Sequence, residues 1–251
     1  MDNPFLKAVK RIRRQISNCN PLRKVPRRIV KINGIALDVS DHPTSLVRDE
    51  VKWCLEEDLY GIESIDFHKN DIIIDIGANI GMVSLYIAKR FPSVNLLSYE
   101  PIPTNYFYLM QNIKNNGVEN IQAFSLAITK DRRDLDMIIQ SASNTGGGTA
   151  CLRNMKLEGH EYHRVKSITL DDIFIANNIG RCRLLKIDCE GSEHEILRHS
   201  GVLNKIDYLS AEFHINSNLE SQGYTIEELI SHCRMYFAVE KMKIHSVRMA
   251  E

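Results

Sequence analysis

The residues best suited to chemistry fall into three short stretches of this 251-residue chain. The first is Asp75-Ile76-Gly77-Ala78-Asn79-Ile80-Gly81, a glycine-rich turn between an apolar run and a helical pattern. Glycines at such a turn let the backbone approach a ligand, and the amides that open the following helix favour negative groups. The second is Glu100-Pro101, 23 residues after Gly77, where the next apolar run ends. A carboxylate at a strand tip can accept hydrogen bonds from both hydroxyls of a ribose. The third is a pair of segments, Asp188-Cys189-Glu190 and Glu212-Phe213-His214. Residues two apart on an extended chain share a side, so Asp188 is expected to point with Glu190, and Glu212 with His214.

Spacing decides what the turn is for. A dinucleotide fingerprint needs glycines two and five positions after the first. Those positions hold Asn79 and Met82. The turn instead follows the D-x-G-x-G-x-G pattern used for S-adenosylmethionine, with Asn79 in the middle glycine place. Asn is the best non-glycine residue where φ is positive. A nicotinamide oxidoreductase is therefore excluded.

The elements that must position these residues alternate regularly. Strands are expected at residues 71–76, 94–99, 121–126, 184–187 and 208–211, with helices at 80–90, 104–115 and 192–199. Strand, helix, strand in this rhythm means a doubly wound parallel sheet covered on both faces. In such a sheet the ligand lies beyond the carboxyl ends of the strands, where all three stretches fall. Ahead of this body, Asn33-Gly34 is flanked by Ile29–Ile32 and Ile35–Val39 and predicts a two-residue hairpin. A helix is expected over residues 45–59. Residues 141–166, with three consecutive glycines, read as a long loop or irregular hairpin, a candidate lid facing the substrate. The expected division is a preamble at 1–69 and a ligand-binding domain at 70–251.

Composition sets the outer limits. Hydrophobic residues make up 43% and charged residues 25%, an ordinary globular balance. No run approaches the ~18 apolar residues of a membrane span. Six scattered cysteines without a C-x-x-C pair argue against structural zinc and for a reducing compartment, so a cytoplasmic location is expected. No apolar stretch follows the basic start, and no secretory signal is expected. The net charge of zero hides an asymmetry. Residues 1–31 hold ten Lys/Arg and one acid, giving +9, and the remainder balances it at −9. Such an arm could meet an anionic surface or partner. The favoured reading is a short helix with Phe5, Leu6, Val9, Ile12 and Ile16 as its apolar stripe.

The turn at Asp75–Gly81, Glu100-Pro101, Asn105 with Leu109 and Asn112, Ile168–Asp172, Leu185–Glu193 and Ala211–His214 together resemble the FkbM-type methyltransferase family. The resemblance covers about residues 70–215, and its most specific part is the K-I-D-x-E-G-x-E segment beginning at Lys186. It implies a class I methyltransferase, Rossmann-like α/β fold: a mostly parallel seven-stranded sheet with a final antiparallel strand. The last hairpin would then be Ala238–Met242 and Ile244–Val247. It also implies S-adenosylmethionine as methyl donor and O-methylation of a sugar, glycoside or secondary metabolite as chemistry. On this basis the expected donor-binding residues are Asp75, Gly77, Ala78, Asn79, Gly81, Glu100, Pro101, Asn105 and Asp188, with Ser125 and Leu126 flanking the adenine.

Methyl transfer needs the acceptor oxygen, methyl and sulfur held in line, and an alcohol must also lose its proton. His214 is the favoured general base, because an imidazole with a pKa of ~6.5 is largely neutral at pH 7. It would be oriented by Glu212 or a neighbouring carboxylate, with Asp188 and Glu190 beside it. The competing reading lets three of these four hold a divalent cation that activates the hydroxyl; it is not favoured, because they sit on only two strands. Two alternatives stand beside O-methylation of a small molecule. One is a nucleic-acid methyltransferase that uses the basic arm. Base N-methylation is disfavoured, since no N-P-P-Y or D-P-P-Y segment follows the fourth strand, but RNA ribose methylation stays open. The other is a non-catalytic donor-binding module, against which the acids of the last two strands count. The acceptor's identity and the oligomeric state are not written in the residues.

Overall fold

Ile73 and Ile74 are both fully buried, although neighbours on a strand face opposite ways. Their strand must therefore be covered on both sides. The computed structural model, which describes residues 27–42, 45–139, 148–150 and 161–249, shows how.

The elements in order are β1 (Arg27–Ile32), β2 (Ile35–Ser40), α1 (Val47–Glu56), β3 (Ile72–Ile76), α2 (Met82–Arg90), β4 (Asn95–Tyr99), α3 (Pro103–Asn116) and β5 (Ile121–Phe124). Short strands follow: β6 (Ala127–Ile128), β7 (Leu135–Ile139), β8 (Gly148–Ala150), β9 (Glu161–Val165) and β10 (Ser167–Ile168). Then come α4 (Leu170–Ala176), β11 (Cys182–Ile187), α5 (Glu193–His199), β12 (Ile206–Ile215), α6 (Ser217–Ser221), α7 (Ile226–Cys233) and β13 (Met242–Arg248). The central sheet runs β13-β12-β11-β3-β4-β5, and every neighbouring pair in it is parallel. β3 to β5 wind one way and β11 to β13 the other, so the topological switch lies between β3 and β11. Ligands in open α/β sheets bind at that crevice.

Alternation along the strands divides the core. Ile74, Leu97 and Leu185 pack with α4, α5 and α7 residues on one face. Ile73, Leu96 and Leu184 pack on the other, with α2 and the β1–β2 hairpin. That hairpin lies over α2, which explains why Met82 through Ala88 are all buried rather than only one helical face. The hairpin turns at Asn33 (φ 46°) and Gly34 (φ 83°), the two left-handed residues that Asn-Gly was expected to supply. α4 starts on a capping box in which Thr169 and Asp172 exchange hydrogen bonds.

One expectation is corrected. The last strand is not antiparallel, and the hairpin proposed for Ala238–Val247 does not form: Val239–Lys241 is a 3₁₀ turn leading into a single strand, β13, parallel to β12. The physical reason is the connection. The chain leaves β12 through α6 and α7, returns to the amino end of the sheet, and so must run the same way again. Among the described residues the central sheet has six strands rather than seven. Within the expected loop at 141–166, the described parts are β8 and β9, which flank β7 in an antiparallel sheet; the lid expectation otherwise falls outside the described residues. The basic arm with its Phe5-to-Ile16 stripe also lies outside them. Among the described residues no helix is long and apolar enough to cross a membrane.

Candidate active site

The turn after β3 is held by its two neighbouring strands, β4 and β11, and by α3. The amides of Gly77 and Ala78 both donate to the Tyr99 carbonyl at 3.0 Å. The Asn79 amide donates to Glu100 Oε2 at 2.8 Å, while Glu100 Oε1 accepts from the Ile102 amide at 2.9 Å. Asn79 adopts φ 51°, as its place in the pattern required. Gly77 (φ 77°) lies so close to the end of β11 that a Cβ would stand 1.7 Å from the Asp188 carbonyl oxygen. Gly81 (φ 89°) meets α3 in the same way, its virtual Cβ 2.4 Å from Leu109 Cδ1. Gly77 demands glycine on two counts, backbone conformation and a backbone oxygen in the way; Gly81 demands it by conformation, its near contact being a side-chain tip.

Beneath the turn sits a buried ion pair. Asp75 on β3 is opposite Lys186 on β11 in the sheet register. Lys186 Nζ lies 3.2 Å from Asp75 Oδ1 and donates to the Gly77 carbonyl at 2.9 Å. Ser84 donates to the other Asp75 oxygen at 2.6 Å. Burial alone would lower the Lys186 pKa, but the Asp75 and Asp188 carboxylates more than offset it and hold the ammonium charged. Lys186 and Asp75 thus brace the turn.

A second turn closes the other side. β11 ends at Ile187, and the chain bends through Glu190 (φ 56°) and Gly191 (φ 102°) before α5. The Glu193 carboxylate, wholly buried, accepts from the Cys189 amide at 2.7 Å, the Gly191 amide at 2.9 Å and His214 Nδ1 at 3.1 Å. His214 Nε2 lies 3.9 Å from Glu190 Oε2.

These two turns face one cavity of about 370 Å³. Gly77, Ala78, Asn79, Glu100, Pro101, Asn105, Asp188, Glu190, Glu212 and His214 all line it. Asp75 and Gly81 lie behind the turn, and Ser125 and Leu126 are not in the lining; Leu126 is packed in the core beside Phe124. β5 ends at Phe124, immediately before them. Sequence reasoning missed Tyr60, Cys54 and Glu50, which the segment before β3 brings to the cavity. No motif marked them.

Electrostatics correct one role. Burial would lower the His214 pKa, but the hydrogen bond to Glu193 and the charges of Glu190 and Asp188 prevail and raise it to about 9. His214 is therefore an imidazolium at neutral pH, not the neutral base expected. Its orienting carboxylate is Glu193 from α5, not Glu212 on its own strand. Burial, then the neighbouring acids, push Glu190 up to about 7, and burial and Asp188 raise Glu212. Burial also raises Glu100 to about 7 despite its amide hydrogen bonds. Ligand atoms of Asp188, Glu193 and His214 lie within 4.8 Å of one another, a spacing a metal ion could use. Both Glu193 oxygens, however, already accept backbone amides, and His214 Nδ1 already bonds one of them.

The family profile described as "Methyltransferase FkbM domain" matches residues 75–246. The chain belongs to the FkbM methyltransferase family. Relatives include methyltransferase sdnD of Sordaria araneosa, 32% identical over 157 residues, covering 51% of this chain and 60% of the relative. The 31-O-demethyl-FK506 methyltransferase FkbM of Streptomyces tacrolimicus is 25% identical over 53% of this chain and 60% of its own length. The hexuronic acid methyltransferase AglP of Haloferax volcanii is 19% identical over 74% of this chain and 72% of its own. The chain thus spans about six tenths of the length of the first two relatives. FkbM enzymes use S-adenosylmethionine, and the cavity's residues fit that donor. Glu100 offers a carboxylate to a diol, the glycine turn leaves room for close backbone approach, and the Asp188 carboxylate suits the donor's cationic end.

Proposed function

We propose that this chain transfers a methyl group from S-adenosylmethionine to a hydroxyl oxygen of a sugar, glycoside or secondary metabolite. The observation that carries this reading is Glu190, a carboxyl with a pKa of about 7 facing the cavity beside a protonated His214. A general base works best when its pKa is near the working pH.

In this reading the backbone at Gly77–Asn79 with Glu100, Pro101, Asn105 and Asp188 holds the donor. When bound, S-adenosylmethionine supplies an electrophilic methyl on a sulfonium and leaves as the neutral thioether. Glu190 accepts the proton that the acceptor hydroxyl loses as its oxygen bonds to the methyl carbon. His214, clamped by Glu193, keeps a positive charge beside Glu190 and so favours its ionised form. Most of the rate comes from alignment, which the two hydrogen-bonded turns supply. The oxygen acceptors named for the Streptomyces relative and the sugar acid named for the Haloferax relative support a hydroxyl acceptor.

The test is transfer of labelled methyl from S-adenosylmethionine to a panel of glycosides, polyketide alcohols and nucleosides, with mass spectrometry locating the label. Label on a glycoside or alcohol oxygen is expected. Label only on RNA, on carbon or on a base nitrogen, or no donor binding by calorimetry, would overturn the reading.

A further inference from the structure

The acceptor end of the cavity holds more negative charge than its own cations can answer. α1 contributes Glu50, β12 contributes Glu212 and the turn after β11 contributes Glu190, with Asp188, which the reading above gives to the donor, next to them. Two cations stand near them, and both are engaged. Lys186 is tied to Asp75 at 3.2 Å and to the Gly77 carbonyl at 2.9 Å, leaving Asp188 at 3.6 Å as a secondary contact. His214 is held by Glu193 at 3.1 Å and reaches Glu190 only at 3.9 Å. Among the described residues the Glu50 and Glu212 carboxyls form no ion pair, and no side chain donates to them. Beside these acids, Val47, Val51 and Met249 give the wall an apolar surface.

We infer that the acceptor carries a protonated amine close to the hydroxyl that is methylated, as an amino sugar or another amino alcohol does. The inference rests on the hydroxyl-methylation reading above and names its substrate class. An ammonium between Glu50 and Glu212 finds two carboxyls without a competing partner and relieves their repulsion with Asp188. Burial and then Asp188 raise the Glu212 pKa, which is the electrostatic trace of that crowding. A uronate, a phosphate or a nucleic-acid backbone meets the same acids as like charges, and the two cations are already taken. The apolar wall suits a ring face or a short aliphatic chain.

The experiment uses the full chain loaded with S-adenosylhomocysteine and three probes: the methyl glycosides of glucosamine, glucose and glucuronic acid. Calorimetry should find the amine bound about tenfold or more tighter than the neutral glycoside, the scale of a charge-assisted hydrogen bond, with the uronate weakest. Glu50→Gln with Glu212→Gln should reduce that preference to less than about threefold. Glu50 is exposed on its helix and the Glu212 change is isosteric, so both variants should fold; circular dichroism checks this. Equal binding of all three, no binding of any, or a preference for the uronate overturns the inference. The label distinguishes the two claims. Methyl on the oxygen of neutral glycosides and not of amino glycosides sinks the inference and keeps the hydroxyl reading. Methyl on the amine nitrogen sinks both, since the inference places the amine beside the oxygen that is methylated.

Discussion

At the donor end of the cavity the amides of Gly77, Ala78, Asn79 and Ile102 all have acceptors, in the Tyr99 carbonyl and the Glu100 carboxylate. At the end proposed for the acceptor, Glu190 and Glu212 crowd against Asp188, and burial with repulsion from neighbouring acids raises both. The first region is a closed backbone cradle: burial raises its carboxyl, Glu100, to about 7 as well, but both of that carboxyl's oxygens are held by amides of the same turn and strand end. The second is an under-partnered set of charges whose energy is released when something binds or a proton moves. The contrast separates holding a ligand, which rewards satisfied bonds, from chemistry, which rewards groups poised to change state.

The largest expected effect breaks the acceptor side alone. Glu190→Gln should lower kcat by about 10²–10⁴-fold, with donor affinity changed less than about twofold. Steady-state kinetics and calorimetry on the same variant check both halves. The donor side should break differently. Gly77→Ala places a Cβ 1.7 Å from the Asp188 carbonyl at φ 77°, so at least about 3 kcal/mol of stability should go, read from urea melts, along with donor binding. Glu100→Ala removes the acceptor of two amides and should weaken donor binding by about 1.5–3 kcal/mol, with turnover at saturating donor much less affected.

Much of the donor side was legible in the sequence for a local reason. The Asp75–Gly81 spacing, the Asn at a left-handed position and the carboxylate at the next strand tip are properties of consecutive residues, and each falls where expected. The parallel strands β3, β4, β5, β11 and β12 were readable because buried strands are short, apolar and separated by helical periods. The acceptor side was legible only as a list. Glu193 stood within the K-I-D-x-E-G-x-E segment, but its grip on His214 needs α5 and β12 side by side. The His214 charge follows from three acids on two other elements and so could not be read from its reference pKa. Asp188 and Glu190 share the cavity through a left-handed turn, not by the strand alternation expected of them. The final strand was misread because its direction depends on a crossover through α6 and α7, whose packing no local pattern records.

Smaller effects sharpen the comparison. His214 has a raised pKa in the fold, so the native state binds the extra proton and gains stability that is fully present below the unfolded value of ~6.5. That stability should be lost as pH rises through about 9, and urea melts of His214→Asn should lack this alkaline loss. The smallest expected effect is none. Exhaustive chelation should leave methyl transfer unchanged, because the Glu193 oxygens and His214 Nδ1 already bond to one another and to backbone amides. Loss of activity in EDTA with recovery on Mg²⁺ would transfer the acceptor-side acids to a metal.

The most direct test of the proton's route is an NMR titration of the full chain loaded with S-adenosylhomocysteine. It follows the Glu190 carboxyl carbon and the His214 ring, assigned through Glu190→Gln and His214→Asn. The account predicts a carboxyl that titrates at about 7 and an imidazole that titrates at about 9. A carboxyl titrating near ~4.3 with an imidazole near ~6.5, the reference values of free side chains, would contradict it and return the base to His214.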